Sequence, residues 1–503
     1  MKPSLKIYTL LIAMIVAFYS LTPTIVHADS NEKIQKIEQF VKEQKEISKI
    51  PGISLVIVEK GKTVYEKGFG YADVQSKTPV TSNTLFELGS TSKAFTGLAI
   101  LKLEREGLLK RSDDVQKYIP WLKLKYNGKP QSITINQLLY HTSGIATNTI
   151  SNIPKSNEPN ALELTVKKLL DQPLNRQPGS SFEYATVNYD VLGLVIEKVS
   201  KQPFDTYIKQ QILKPLSMND TFVGIHQVKS NEMATGYKIG LMRGQEYTPP
   251  IYRGNVPAGY VISNTSDIAK WLKLQLGTSQ IDSIDHKIIQ ESHIPDQSVE
   301  PFDKDTYYAS GWGVMGKEEQ YISHAGENPT FSSYFIMHPD EQLGVAVLSN
   351  MNSSYTTAIG RGVIDLWEGK TVNTIHSDIF QNLDKIISLI CVIVVGLGMF
   401  LSILLLTTLR EIVKKQRIRV SLNIKRTFLL IVHSLSVAII FALIIMFPKL
   451  LPEESNWEFI KVWGPTSITV LFYSVIVSGV IYCLLGLVKI LTKKGKRNKN
   501  VEI

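Results

Sequence analysis

Phe86-Glu87-Leu88-Gly89-Ser90-Thr91-Ser92-Lys93 stands at the head of an apolar run made of Ala94, Phe95, Leu98, Ala99, Ile100 and Leu101. The spacing predicts a helix that opens near Ser90. Lys93 then lies one turn on, on the same face, with its ammonium in reach of the hydroxyl. A serine alcohol is a weak nucleophile at neutral pH and needs a group to take its proton. A lysine can do this once burial lowers its pKa from about 10.4. The helix start adds backbone N–H groups where negative charge would develop. Alone the pattern is weak, since roughly two S-x-x-K matches arise by chance in a chain of this length. The same residues also read as a helix cap followed by a solvated lysine.

Strand patterns flank this stretch at a distance. Ile53-Ser54-Leu55-Val56-Ile57-Val58 and Thr63-Val64-Tyr65 enclose Glu59-Lys60-Gly61-Lys62, a hairpin. Residues 31–48 carry Ile34, Ile37, Phe40, Val41 and Ile47 among charges, an amphipathic helix. From Lys93 to about Gly277 the pattern is mainly helical. It includes a capping box at Thr134-Ile135-Asn136-Gln137 with Gly144 as its stop, a buried helix at Val191–Ile196 and another from Ser266. Strands return at Gly311–Met315, Gln320–His324, Ser333–Met337 and Gly344–Leu348, and an amphipathic stretch, Ala358–Trp367, closes the domain. The expected fold is α+β: one antiparallel sheet built from both ends, flanked by helices, with an inserted helical lobe. A cleft between lobes is where a site would form.

The 503 residues carry a net charge of +10, which first suggests nucleic acid. Its location says otherwise. From Arg410 onward there are fifteen Lys and Arg against five Asp and Glu, and the region from Ile7 to Leu409 is close to neutral. Ile386–Leu409, Thr427–Phe447 and Ser467–Val488 contain no charged side chain and are each long enough to span a bilayer as a helix. The positive-inside rule puts 410–426 and 489–503 in the cytoplasm and 448–465 outside. Residues 1–28 read as a signal peptide, with Val26-His27-Ala28 as the cleavage site, or as an uncleaved anchor; either exports residues 29–375. The only cysteines, Cys391 and Cys483, sit in apolar spans, so the exported part has no disulfide framework, zinc cluster or thiol nucleophile.

Further motifs follow in order: Leu138-Leu139-Tyr140-His141-Thr142-Ser143-Gly144, Pro178-Gly179 with Phe182-x-Tyr184, Asn188-Tyr189 before Leu192-Gly193, Pro257-Ala258-Gly259, and His324-Ala325-Gly326. With Phe86–Lys93 they make the first 370 or so residues resemble the serine β-lactamase-related family. That family includes class C β-lactamases, low-molecular-mass penicillin-binding proteins, D-aminopeptidases and esterases. The resemblance implies that Ser90 is acylated and that Lys93 assists its deprotonation. Tyr184 fills the family's tyrosine position, where a nearby ammonium would favour phenolate and let it take the Ser90 proton; it also reads as a core aromatic. His324 stands where many relatives have lysine. It reads either as a structural histidine or as a group that binds a substrate carboxylate or positions Tyr184. Gly326 would admit the substrate backbone, and the amides of Glu327 and Ser90 would form the oxyanion hole. The chain departs from the family at Tyr184-Ala185-Thr186, where Thr186 replaces an asparagine that serves the substrate amide; Asn188 is the nearest other candidate. His141 and Ser143 read as turn and capping residues.

The leading reading is a membrane-anchored serine hydrolase facing the cell wall and acting on small-molecule or peptidoglycan-peptide substrates. A β-lactamase is the second reading. A slowly acylating penicillin-binding receptor or regulatory protein is the third. No cofactor, metal or nucleic acid is implied; the bilayer lipid is a partner, and nothing identifies a protein partner.

Overall fold

Among the described residues, eight strands form one sheet: β1 (Gly52–Glu59), β2 (Lys62–Asp73), β3 (Thr78–Pro79), β4 (Thr306–Tyr308), β5 (Gly313–Met315), β6 (Tyr321–Glu327), β7 (Ser332–His338) and β8 (Leu343–Ser349). Their order is β4-β5-β6-β7-β8-β1-β2-β3, with every neighbouring pair antiparallel. The computed structural model describes residues 24–229, 232–279, 281, 283–316, 320–450 and 456–495. The expected signal peptide lies outside these residues as far as residue 23.

Side chains alternate across a strand, so each apolar strand feeds two cores. Val56 and Val58 of β1 enter one core with Phe335, Met337, Ala346 and Leu348. Ile53, Leu55 and Ile57 enter the other with Ile336, Val345 and Val347. Both faces are therefore covered, which is why β1 reads as a continuous apolar run. Helices α1 (Thr24–Ser48), α4 (Thr265–Gln275) and α5 (Tyr355–Trp367) supply the covers, while α2 (Lys93–Arg105) packs behind α4 and α3 (Val187–Ser200) packs on α2 in the helical lobe. Ile37, Phe40 and Val41 of α1 and Ile359 and Val363 of α5 lie on one side of the sheet. Trp271 of α4 lies on the other, stacked on Phe95 of α2 with ring centroids 4.0 Å apart.

The sheet is built from both ends of the domain around a helical lobe, as the strand pattern predicts. Ile53 pairs with Ser349, which closes the sheet across the lobe. Two local expectations are corrected. β5 starts at Gly313, because Gly311 turns the chain with φ 88°. The helix after Thr134 has its capping box but ends at Leu139. His141, at φ 56°, makes the left-handed turn assigned to Gly144, and Thr142 N–H closes onto the Gln137 carbonyl at 2.8 Å.

Three further helices, α6 (Ile379–Val413), α7 (Ile424–Met446) and α8 (Thr466–Leu491), are long and apolar enough to cross a membrane. α6 and α7 begin ahead of their uncharged segments because polar caps start them early. Asp378 accepts from Gln381 N–H at 2.9 Å, and Asn423 from Arg426 N–H at 3.0 Å. At one end of the bundle Arg417–Arg419 pairs with Thr492–Lys494. At the other, the short helix Trp457–Trp463 meets the sheet-and-lobe domain through a Lys155–Glu458 ion pair and a 2.8 Å bond from Lys238 Nζ to the Lys461 carbonyl.

Candidate active site

Phe86 and Leu88 are fully buried, and Leu88 N–H bonds the Val261 carbonyl at 2.8 Å. They pin the chain just before a single 3₁₀ turn, Gly89–Ser92, that leads into α2. Gly89 has φ 55°, and a Cβ there would collide with the backbone of Gly326 and Glu327. A Cβ on Gly326 would in turn collide with the Leu88 carbonyl and Ser333 Oγ. Both glycines are thus required by backbone-to-backbone approach. The approach brings Ser90 to the end of β6, beside the Glu327 amide. Ser333 Oγ and Thr91 Oγ1 clamp the turn, donating to the Leu88 carbonyl at 2.6 and 2.8 Å. The space over Gly326 is filled by this turn, which corrects its expected role of admitting substrate.

Lys93 has no exposure to solvent. Its Nζ lies 3.0 Å from Ser90 Oγ, 3.2 Å from Thr186 Oγ1 and 2.7 Å from the Ala258 carbonyl. Burial brings its pKa down to about 7, against the pull of Asp190. A neutral amine has two N–H donors and one lone pair. It fits these three neighbours by donating to Ala258 and Thr186 and accepting from the Ser90 hydroxyl. Asp190, also fully buried, faces Asn255; with the amide nitrogen turned toward the carboxylate, Asn255 donates to its two oxygens at 2.9 and 3.0 Å. Burial pushes the Asp190 carboxyl well up, and Lys93 draws it back.

Tyr184 reaches the same pocket, and its ring centroid is 5.1 Å from Lys93 Nζ. Its buried hydroxyl has no hydrogen-bond partner among the described residues. Burial pushes its pKa up, with Ser90 pulling the other way. The expected phenolate is therefore corrected: a desolvated phenol next to a lysine that is itself losing its charge stays protonated. His141 stacks on Tyr184 with centroids 4.3 Å apart, and its Nδ1 meets Asn188 Nδ2 at 2.9 Å. Asn188 is fully buried and accepts from Ser143 Oγ at 2.7 Å, so it is a brace for the turn and not a substrate group.

His324 is engaged on both sides. Nδ1 donates to the Ala325 carbonyl at 2.6 Å, and Nε2 accepts from the Tyr308 hydroxyl at 3.0 Å. Burial and the Lys93 charge bring its pKa down to about 3, so it is neutral and has no cation to offer a carboxylate. Tyr308, Asp190, Asn255, Glu87 and Asn328 complete the surroundings and were not singled out from sequence. Asp190 had a signal: it is the lone charge between Val187 and Ile196. Glu87 is buried, with its pKa pushed up to about 7 by desolvation, and accepts from Asn328 Nδ2 at 2.7 Å; that amide also donates to the Gly259 carbonyl at 2.9 Å. This link braces the end of β6 against the Ser90 turn.

A turn serine on a desolvated lysine, at the end of an antiparallel sheet, places the molecule among proteins that are generally serine hydrolases. The chain belongs to the Beta-lactamase family, whose model matches residues 37–363. It is 33% identical over 445 residues to Protein flp of Staphylococcus aureus (strain MRSA252), 87% of each chain. The Putative penicillin-binding protein PbpX of Bacillus subtilis (strain 168) is 38% identical over 212 residues, 41% of this chain and 49% of that protein. A solved octameric penicillin-binding protein homologue from Pyrococcus abyssi superposes with a TM-score of 0.59 at 30% identity, over 70% of this chain and 81% of that one.

The Lys93–Asp190 arrangement generates a pH prediction. Labelling of Ser90 by a fluorophosphonate should accelerate as pH rises through about 7, where Lys93 loses its proton. Asp190→Asn removes the charge that holds the proton on, so the midpoint should move to lower pH. A rate profile measured from pH 5 to 9 on both forms (about four units) checks the direction.

Proposed function

We propose that this protein is a membrane-anchored serine hydrolase acting through a Ser90 acyl-enzyme on D-amino-acid peptides or esters of the cell wall. The carrying observation is the 3.0 Å contact between Ser90 Oγ and the Nζ of a lysine with no solvent exposure. Neutral Lys93 takes the Ser90 proton as Oγ bonds the substrate carbonyl carbon. The carbonyl electron pair moves to oxygen, where the amides of Ser90 and Glu327 receive it. On collapse the bond to the leaving amine or alkoxide breaks. Tyr184, protonated and beside Ser90, donates to the leaving group, and the proton held by Lys93 replaces its own. Water then attacks the ester by the reverse proton route and frees Ser90.

In this reading residues 29–375 form the extracellular hydrolase domain after a signal peptide at 1–28, with 448–465 on the same side. Segments 410–426 and 489–503 lie in the cytoplasm. Their excess of lysine and arginine supports this, as does the pairing of Arg417–Arg419 with Thr492–Lys494 at the bundle end away from the hydrolase domain. The relatives named as penicillin-binding proteins support a substrate of D-peptide type. Efficient β-lactam turnover has less support. Thr186 is turned to Lys93 and supplies no side-chain amide for an acylamino group.

Ser90→Ala should abolish labelling by a fluorescent penicillin and a fluorophosphonate and leave the melting temperature nearly unchanged. Peptide mass spectrometry that found the acyl group on another serine would move the nucleophile. Protease added to wall-stripped cells expressing the chain should digest residues 29–375 and spare 410–426; a protected large domain would invert the topology. Thr186→Asn should raise turnover of a cephalosporin by roughly ten- to a hundred-fold, the worth of one positioning hydrogen bond, and leave an activated simple ester little affected. Paired rate measurements on the two substrates decide this, and an equal change in both would mean that residue 186 does not serve the acylamino group.

A further inference from the structure

A hairpin of the hydrolase domain carries a feature that the reaction does not use. Tyr237–Gly240 pairs with Arg243–Glu246, and Leu241-Met242 forms the two-residue turn. Both turn residues have positive φ, 52° and 64°. Such a turn ordinarily takes Asn-Gly, because a side chain at positive φ crowds the backbone. Here two large apolar side chains occupy it, and they are 42% and 61% exposed. In water the arrangement is unfavourable twice, in conformation and in exposed apolar area.

The turn is held from outside the hairpin. Leu241 N–H and Met242 N–H donate to Asp384 Oδ1 and Oδ2 at 3.0 and 2.7 Å. Asp384 is fully buried, on α6, two residues before the uncharged run that opens at Ile386. Gly240 packs against Thr466, the first residue of α8. Lys238, at the base of the hairpin, bonds the Lys461 carbonyl at 2.8 Å. The tip is therefore seated between the first turns of two membrane-spanning helices, level with the start of their apolar lengths. Exposed Ile379, Leu383 and Ile386 surround that level on α6. Arg243 and Lys385, both exposed, stand next to it.

We propose that the Leu241-Met242 tip is a membrane-insertion loop that buries both side chains at the headgroup–acyl boundary of the bilayer, a reading that rests on the spanning role of α6–α8. Bilayer contact removes the apolar exposure. It also gives the carboxylate a role, since turn amides moved out of bulk water toward the hydrocarbon need a partner within the protein. Arg243 and Lys385 are then at the level of the lipid phosphates, where long basic side chains extend toward the polar surface. The loop adds a contact that fixes the height and tilt of the hydrolase domain over the membrane.

The test uses the full chain in lipid nanodiscs, with Cys391 and Cys483 replaced by alanine and one new cysteine carrying an environment-sensitive fluorophore. The sites are Met242→Cys, Ile439→Cys in the middle of α7 and Lys129→Cys on the far lobe. Nitroxide lipids labelled near the headgroup or deep in the chain serve as quenchers. The proposal expects blue-shifted emission at 242 with strongest loss of intensity from the shallow quencher, deep quenching at 439 and none at 129. Quenching at 439 with a water-like, unquenched 242 overturns the loop and keeps the spanning helices. Absence of quenching at both overturns the two together.

Discussion

The backbone of Leu88-Gly89 lies directly against that of Gly326-Glu327, and the rest of the site depends on this seam. A side chain on either glycine would force the strands of backbone apart. The seam joins the helical lobe to the end of β6, so the Ser90 turn and the strand amide opposite it are held by one contact. Ser333, Thr91 and the Glu87–Asn328 link are all arranged to keep it closed. The β-sheet supplies the rigid half: β6 is paired by β5 over Tyr321–Ser323 and by β7 from Ile322 to Glu327, and cannot shift without breaking the ladder.

Electrostatics inside that frame follow from burial. Lys93 is surrounded by Ser90, Thr186, Ala258 and two tyrosine rings, with Asp190 as the opposing charge. Desolvation drives the lysine toward the neutral amine and the aspartate toward the neutral acid, and their mutual attraction opposes both. The outcome is a lysine close to titration near neutral pH, the condition in which a base can accept and return a proton with little cost in either direction. Tyr184 and His324, beside the same lysine, are both kept neutral by the same cause, desolvation.

The three long apolar helices are joined to the sheet-and-lobe domain at more than one point. The Trp457–Trp463 helix and Asp384 bond the sheet-and-lobe domain directly, and Thr466 at the start of α8 packs against Gly240. A single span would tether the domain by one linker and leave its orientation free. Contacts from several points of the bundle restrict that freedom and fix the direction in which the cleft faces relative to the bundle.

Much of this was legible in the residue order. Helical spacing places Lys93 over Ser90, strand alternation and the return of strands after residue 310 define the sheet, and uncharged runs define the three long apolar helices. Such features depend on neighbours within a few positions, so periodicity carries them. Roles that depend on remote segments were not legible. Asn188 belongs to the His141 turn, Gly326 makes room for Leu88, and His324 is occupied by Tyr308. Tyr184 keeps its proton because its hydroxyl is buried away from water. A hydrogen-bond partner and a pKa are set by what folding brings within a few ångströms, and only the tertiary structure decides that.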